Sequence, residues 1–350
     1  MVHARTFSFT DNSINVAFPS PSAASKDPTP RPITTPQSSD PALLLFQLRR
    51  AQSFWYQELY QSHLAGPLPD ATRFVWQMCF EMRDWAESLP NNLPPPIRQV
   101  FDQELRYSYV YCIAPSARAP QISDYHRTVI FEHAVLYLDA MHDIVRTGLT
   151  SAFYTYHDAL KVYFMASQLL AVLRAAEDML LSGAPVPIPM HAPGGPPPPP
   201  VPRYPIMGHT LVPPDNLRRS LSCLERVDQT LGKFGERWVQ SAMLRRSFEE
   251  ISRETMDRLR GRVDAQDAVI DQQQQQQQQQ RNHYQNGTSM PHHSHAQHQP
   301  KHQPQQPQPQ HQPQQSPQQQ QQQQQQGREV RWVGVDVARM MQHQQGRPPQ

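Results

Sequence analysis

Cysteine is scarce in this chain: Cys79, Cys112 and Cys223 stand far apart, with no CxxC among them. That spacing excludes a disulfide framework and a cysteine-based zinc site, and it suits a reducing compartment. Net charge is scarce too. A balance of +2 over 350 residues gives no global pull toward nucleic acid or anionic lipid. No run of about eighteen apolar residues occurs, so no membrane span is expected. Glycine is sparse at 13, whereas proline reaches 37 and mean hydropathy is only -0.69. With two glutamine runs as well, much of the length lacks the apolar side chains to bury a core. The composition predicts one folded region and a long disordered tail.

Apolar periodicity locates the folded region. Asp40-Pro41 reads as a helix start, an N-cap acid followed by proline in the first turn. Leu44, Leu48, Ala51, Trp55 and Leu59 follow at spacings of three and four. Val75, Met78, Met82, Ala86 and Leu89 repeat the pattern up to Pro90, and Ile97, Phe101, Leu105, Tyr109 and Cys112 repeat it up to Pro115. Two longer helices carry Ile130, Ala134, Tyr137, Met141 and Ile144, then Ala159, Val162, Ala166, Leu169 and Leu173 as far as Gly183. A pair resumes behind Asp215, with Leu217, Leu221, Leu224 and Leu231, then Trp238, Ala242, Leu244, Phe248, Ile251 and Leu259.

No period-two stretch competes with these. The predicted fold is all-α, an irregular bundle of about seven helices with a proline-rich insertion and a glutamine-rich C-terminal tail. The boundaries read as an extended segment over 1–41, a bundle over 42–182, a proline-rich linker or surface excursion over 183–214, a helical pair over 215–262 and a disordered tail over 263–350. Within that tail the last helix is allowed to run on toward Gln280, because glutamine is a fair helix former.

Catalytic templates fit poorly. GxSxG, HExxH, P-loop and GxGxxG patterns are missing from the sequence. Asp139, His142 and Asp143 lie close enough on one helix to touch a metal, yet no partner motif accompanies them, and a solvated face is the better reading. The same shortage of aspartates counts against an all-α enzyme of the terpene-cyclase kind. The histidines of "MPHHSHAQHQPKHQ" and the "PPPPPVP" run read as compositional drift and a spacer before a metal site or an SH3-type ligand. No enzyme activity, cofactor or metal is expected.

Four stretches together resemble the fungal-specific transcription factor domain, the middle homology region downstream of a zinc binuclear cluster. Its order is an extended "GRP…I.D..I.V..P" piece, a helix ending in "W…LP", a helix ending in "L.RPS", and late helices with "RW..A…..F..L". Arg5, Phe7, Asp11, Ile14, Val16 and Pro19 match the first, and Trp85, Leu89 and Pro90 the second. Pro115 and Ser116 match the third; Arg237, Trp238, Ala242 and Phe248 match the fourth. Ala4 and Thr6 depart from the usual glycine and proline, and Ala114 from the common arginine.

The resemblance covers roughly residues 1–260. It implies a helical regulatory scaffold in the nucleus, working with coactivators or other regulators and reaching DNA only through a module or partner elsewhere. In that family the "GRP…D" piece lies inside the domain, so the chain is expected to be its C-terminal part, with the zinc cluster absent. An uncovered bundle face and self-association are then expected as well. The other reading is a helical adaptor without a DNA connection, which shares the tail but leaves the ordered motifs unexplained.

Overall fold

The computed structural model describes residues 40–62, 64, 66–148, 154–202 and 215–286, with side chains as far as 279. Among the described residues the chain is 77% helical, with seven α-helices and no strand. They are α1 (Pro41–Tyr56), α2 (Ala71–Glu87), α3 (Pro95–Ile113), α4 (Asp124–Gly148), α5 (Tyr156–Leu181), α6 (Asn216–Arg237) and α7 (Val239–Asn286).

Side chains that satisfy free amides set the helix starts. The Asp40 carboxylate accepts the Ala42 N–H at 2.8 Å, and Pro41 fills a first-turn position that needs no donor. Asp70 caps α2 through the Arg73 N–H at 2.9 Å, and Asp215 caps α6 through the Arg218 N–H at 3.1 Å. Thr155 and Asp158 form a reciprocal capping box on α5. The ends follow breakers: Pro90 lies just past α2, Pro115 just past α3, and Gly183, at φ 65°, just past α5. α1 does not stop at Tyr56 but widens into one π-helical turn, Gln57–Gln61, in which Tyr60 stacks on Tyr56 at 5.3 Å.

The chain forms two compact units, residues 1–263 and 264–350. In the first, α4 is the hub and packs on α3, α5 and α6. It is buried nearly all round, with Val129, Ile130, Phe131, Ala134 and Val135 fully enclosed. α1 lies on α2 and α3, and α5 on α3, α4 and α6. The part of α7 up to Val263 is tied to α5 and α6. Arg258 and Arg262 bind Glu177 at 2.7 and 2.9 Å, Arg245 binds Asp228 at 2.8 Å, and Tyr163 meets Ser247 at 2.9 Å. By length and composition α5 is apolar enough to cross a membrane, at mean hydropathy 1.3, but 72% of that window is buried inside the bundle. Its apolar surface is consumed by its neighbours.

Two sequence expectations need correcting. Trp238, placed in the core, is half-buried: the chain turns extended there, at φ -130° and ψ 111°, and the residue separates α6 from α7. On α6 the inward stripe is Asn216, Ser220, Cys223, Leu224, Val227, Thr230, Leu231 and Phe234, which rotates Leu217 and Leu221 to its edge. α7 continues through residues 263–286, beyond the Gln280 toward which the sequence allows the last helix to run. Glutamine loses little rotamer freedom in a helix, so nothing in the side chains stops α7 at Gly261. The expectations for residues 1–39 and for residues from 287 on lie outside the described residues.

Candidate functional site

The motif residues are scattered. Trp85 is 1% exposed; its indole N–H donates to the Leu44 carbonyl at 3.1 Å, and its ring lies 5.5 Å from Phe101. Pro90 turns the chain from α2 to α3, and its carbonyl accepts from Arg98 at 2.8 Å. Pro115 opens the α3–α4 connection, which Arg118 fastens to the Gly66 carbonyl at 2.6 Å. Arg237 stacks on Trp238 at 4.7 Å, and Phe248 is fully buried. Pro90, Pro115 and the Arg237–Trp238 pair mark joints between helices, Trp85 and Phe248 are core side chains within α2 and α7, and the set does not converge on one place. Arg5 and Asp11 lie outside the described residues.

What the fold does bring together is a charge cluster with no sequence signature of its own. Glu104 of α3 is salt-bridged to Lys161 of α5 and, at 2.8 Å, to Arg49 of α1. Lys161 is 8% exposed and Glu104 9%, so two helices each sink a formal charge into the core. Burial pushes the Glu104 carboxyl up, but the Lys161 ammonium and the Arg49 guanidinium outweigh it and hold the group at about 2. Gln52 extends the network, accepting from Arg49 at 2.7 Å and donating to Ser108 at 2.6 Å. A carboxylate buried and neutralised by two cations in this way is a structural pairing and is little exposed to a substrate. The cluster joins α1, α3 and α5.

A second polar line runs along α4 beneath the proline-rich stretch. The Tyr125 hydroxyl donates to the Pro199 carbonyl at 2.8 Å, and His133 Nε2 lies 3.4 Å from the Pro200 carbonyl. His126 Nε2 accepts the Trp76 indole N–H at 2.8 Å, which places the ring proton on Nδ1, 3.2 Å from Ser123 Oγ. Burial lowers both imidazoles. His126 falls to about 4; His133 falls to about 3, where Arg106 adds to the effect and the Pro200 carbonyl opposes it. Of the two readings of the insertion, spacer and surface excursion, residues 183–202 fit the second. Pro199 is buried and its neighbours Pro196, Pro197 and Pro198 are half-buried, so the run is engaged within the fold.

The same stretch walls a groove of about 490 Å³ against α4 and the end of α5, lined by Tyr125, Phe131, Met179, Val186, Pro198 and Val201. Its polar margin is already committed. Glu132 is bound to Arg219 at 2.7 Å, and Asn216 donates to the Leu180 carbonyl at 2.8 Å. The lining therefore offers apolar contact and shape. Elsewhere, Asp139 is paired with Arg226 at 2.9 Å and His142 lies 3.3 Å from Thr230, and no group of three metal-type ligands occurs among the described residues. Cys79 and Cys112, far apart in sequence, come together between α2 and α3, and burial raises the Cys112 thiol.

Apolar surface also remains on the outside of the first two helices. Phe54 of α1 is 50% exposed beside Phe74 of α2, 6.1 Å away, and Phe80 is 37% exposed. Compared with protein-family models, curated proteins and solved structures, the chain has no significant match.

Proposed function

We propose that this chain is the regulatory, non-catalytic part of a fungal-type transcription factor. A helical scaffold would carry a glutamine-rich segment that engages coactivators in the nucleus. The observation that carries this reading is the order of the four motif stretches, Arg5–Pro19, Trp85–Pro90, Pro115-Ser116 and Arg237–Phe248, in one chain that ends in glutamine and proline. An all-α architecture with Trp85 and Phe248 in its core is in keeping with it. Three scattered cysteines cannot hold a zinc binuclear cluster, so base reading falls to a module or partner outside these residues. The engagement would be made by extended, weakly contacting side chains rather than by one pocket.

The test is a fusion. Residues 264–350 joined to a foreign DNA-binding module should activate a reporter in a fungal host, and the activity should fall when Trp332 and Val333 are changed to alanine, because bulky apolar residues anchor such contacts. An inert fusion removes the activation role. Sequence-specific duplex binding by the 350 residues alone, at physiological salt, would overturn the division of labour.

A further inference from the structure

We propose that residues 185–190, Pro-Val-Pro-Ile-Pro-Met, are a ready-made ligand for a protein domain that reads polyproline-II helices in an aromatic-lined groove. The inference does not depend on the regulatory reading. It starts from local sterics. From Ala184 to Pro189 every residue is either a proline or directly precedes one. Proline locks its own φ at about −65°, and its ring drives the residue before it out of the α region. The stretch is therefore extended whatever lies beside it, and no helix, strand or turn forms between Gly183 and Ala192.

Burial tells which extended form it takes. Gly183, Val186 and Pro189 are half-buried, while Ala184, Pro185, Pro187, Ile188 and Met190 are exposed. A β-strand would alternate with a period of two, whereas a period of three belongs to the polyproline-II helix. One of its three faces rests on the fold. The other two, Pro185 with Ile188 and Pro187 with Met190, stand in solvent, with Ile188 71% and Met190 96% exposed. The later run, Pro196–Pro200, is not presented in this way: Pro199 is buried and its carbonyl accepts from Tyr125. The alternating stretch, not the homopolymer, is offered outward.

Chemistry selects the partner. Pro185, Pro187 and Pro189 carry no N–H, so the stretch cannot add a regular strand to another protein's sheet. What it offers is apolar surface and acceptors: among the described residues no backbone amide donates to a carbonyl between Ala184 and Met190. Apart from His191, no ionisable side chain occurs from Gly183 to Pro202, so charge has no part in the fit. The matching surface supplies tryptophan or tyrosine rings to grip the two exposed faces, and their N–H or O–H to meet the carbonyls. That is the groove of proline-reading domains. A ligand already held in its bound form enters such a groove with little loss of conformational freedom.

The experiment uses the full chain, titrated into isolated SH3, WW and EVH1 domains and followed by the fluorescence of their groove tryptophans. At least one domain should bind saturably, and Ile188→Asp combined with Met190→Asp should weaken that binding by about tenfold or more. Both side chains are exposed, so the double variant should unfold at the same denaturant concentration as the parent chain. Phe54→Ser, which removes the exposed aromatic on α1, should leave binding unchanged. The affinity should vary by less than about twofold between low and high salt, because no ion pair is involved. The proposal is overturned if none of the domains binds. Binding that survives Ile188→Asp/Met190→Asp overturns it too, since the ligand then lies in another proline stretch. So does binding that is lost on Phe54→Ser, or an affinity that falls steeply with salt.

Discussion

Two helices of this protein are held in opposite ways. In α5 (Tyr156–Leu181) every turn from Ala159 to Leu173 buries apolar side chains on several faces, against α3, α4 and α6. In α7, residues 264–279 bury almost nothing. α5 departs from helical geometry at Ala176, φ -151° and ψ 44°, and continues to Leu181 regardless, because its neighbours fix it on both sides of the kink. Residues 264–279 of α7 rest chiefly on helical hydrogen bonds and the tolerance of glutamine for helical rotamers. A substitution in the first should therefore be read by global unfolding, and one in the second by local helix content.

The largest effects belong to the core that α5 completes. Trp85→Ala should cost about 3–5 kcal/mol in denaturant unfolding, since removing a fully buried indole leaves a cavity and also loses its hydrogen bond to the Leu44 carbonyl. Glu104→Ala should cost a similar ~3–5 kcal/mol by stranding the Lys161 ammonium among apolar neighbours. Replacing the whole cluster (Arg49→Met, Glu104→Leu, Lys161→Met) should recover most of that loss, because no charge is then left unpaired. If the triple variant is as unstable as Glu104→Ala alone, charge pairing is not what the cluster contributes.

Acid should strip the bundle in two steps. His126 and His133 titrate at about 4 and about 3 in the fold, against 6.5 when free. The unfolded chain therefore binds their protons first, and stability falls as pH drops from about 6.5 toward 4, by up to ~2.7 kcal/mol per pH unit for the pair. Glu104, held at about 2 against 4.5, contributes stability that is complete above 4.5 and lost as pH falls from there toward 2. Chemical denaturation across pH should show the upper step shrinking in His126→Asn and the lower one shrinking in the uncharged cluster variant, where only the remainder of the His133 titration is left. An upper step unchanged by His126→Asn would refute the assignment.

The sequence made the boundaries of the fold legible, and the reason is chemical. Asp40-Pro41, Asp215, Pro90, Pro115 and Gly183 each act on the backbone within one turn of themselves, so their meaning survives without tertiary knowledge. Trp238 misled for the converse reason. An aromatic on a helical stripe reads as core, and only the break between α6 and α7 turns it half outward, where it covers Phe234 at 5.7 Å. Trp238→Ala should accordingly cost less than Trp85→Ala, about 1–2 kcal/mol.

Nor could periodicity find the Glu104 cluster. Glu104 and Lys161 sit on inward stripes, but a single charge on an apolar stripe also fits a helix edge. Each becomes explicable only when α3 and α5 are laid together with Arg49. The packing of Pro199 under Tyr125 was hidden in the same way, since proline density announces extended backbone without saying what that backbone lies on.

The smallest expected effect isolates the second helix of the comparison. Gln275→Pro, in the middle of the exposed glutamine run, removes an amide donor and clashes with the preceding turn, which costs a helix interior about 3 kcal/mol. In α5 the equivalent change, Met165→Pro, would have to be borne by the whole bundle and should prevent folding. At Gln275 no packing is lost, so far-UV circular dichroism should report fewer helical residues. The unfolding midpoint of the first unit should hold within ~0.5 kcal/mol at protein concentrations low enough to keep the chain monomeric. A midpoint that falls with the helix signal would mean that residues beyond Val263 bear on the stability of the bundle, and that the contrast with α5 is one of degree.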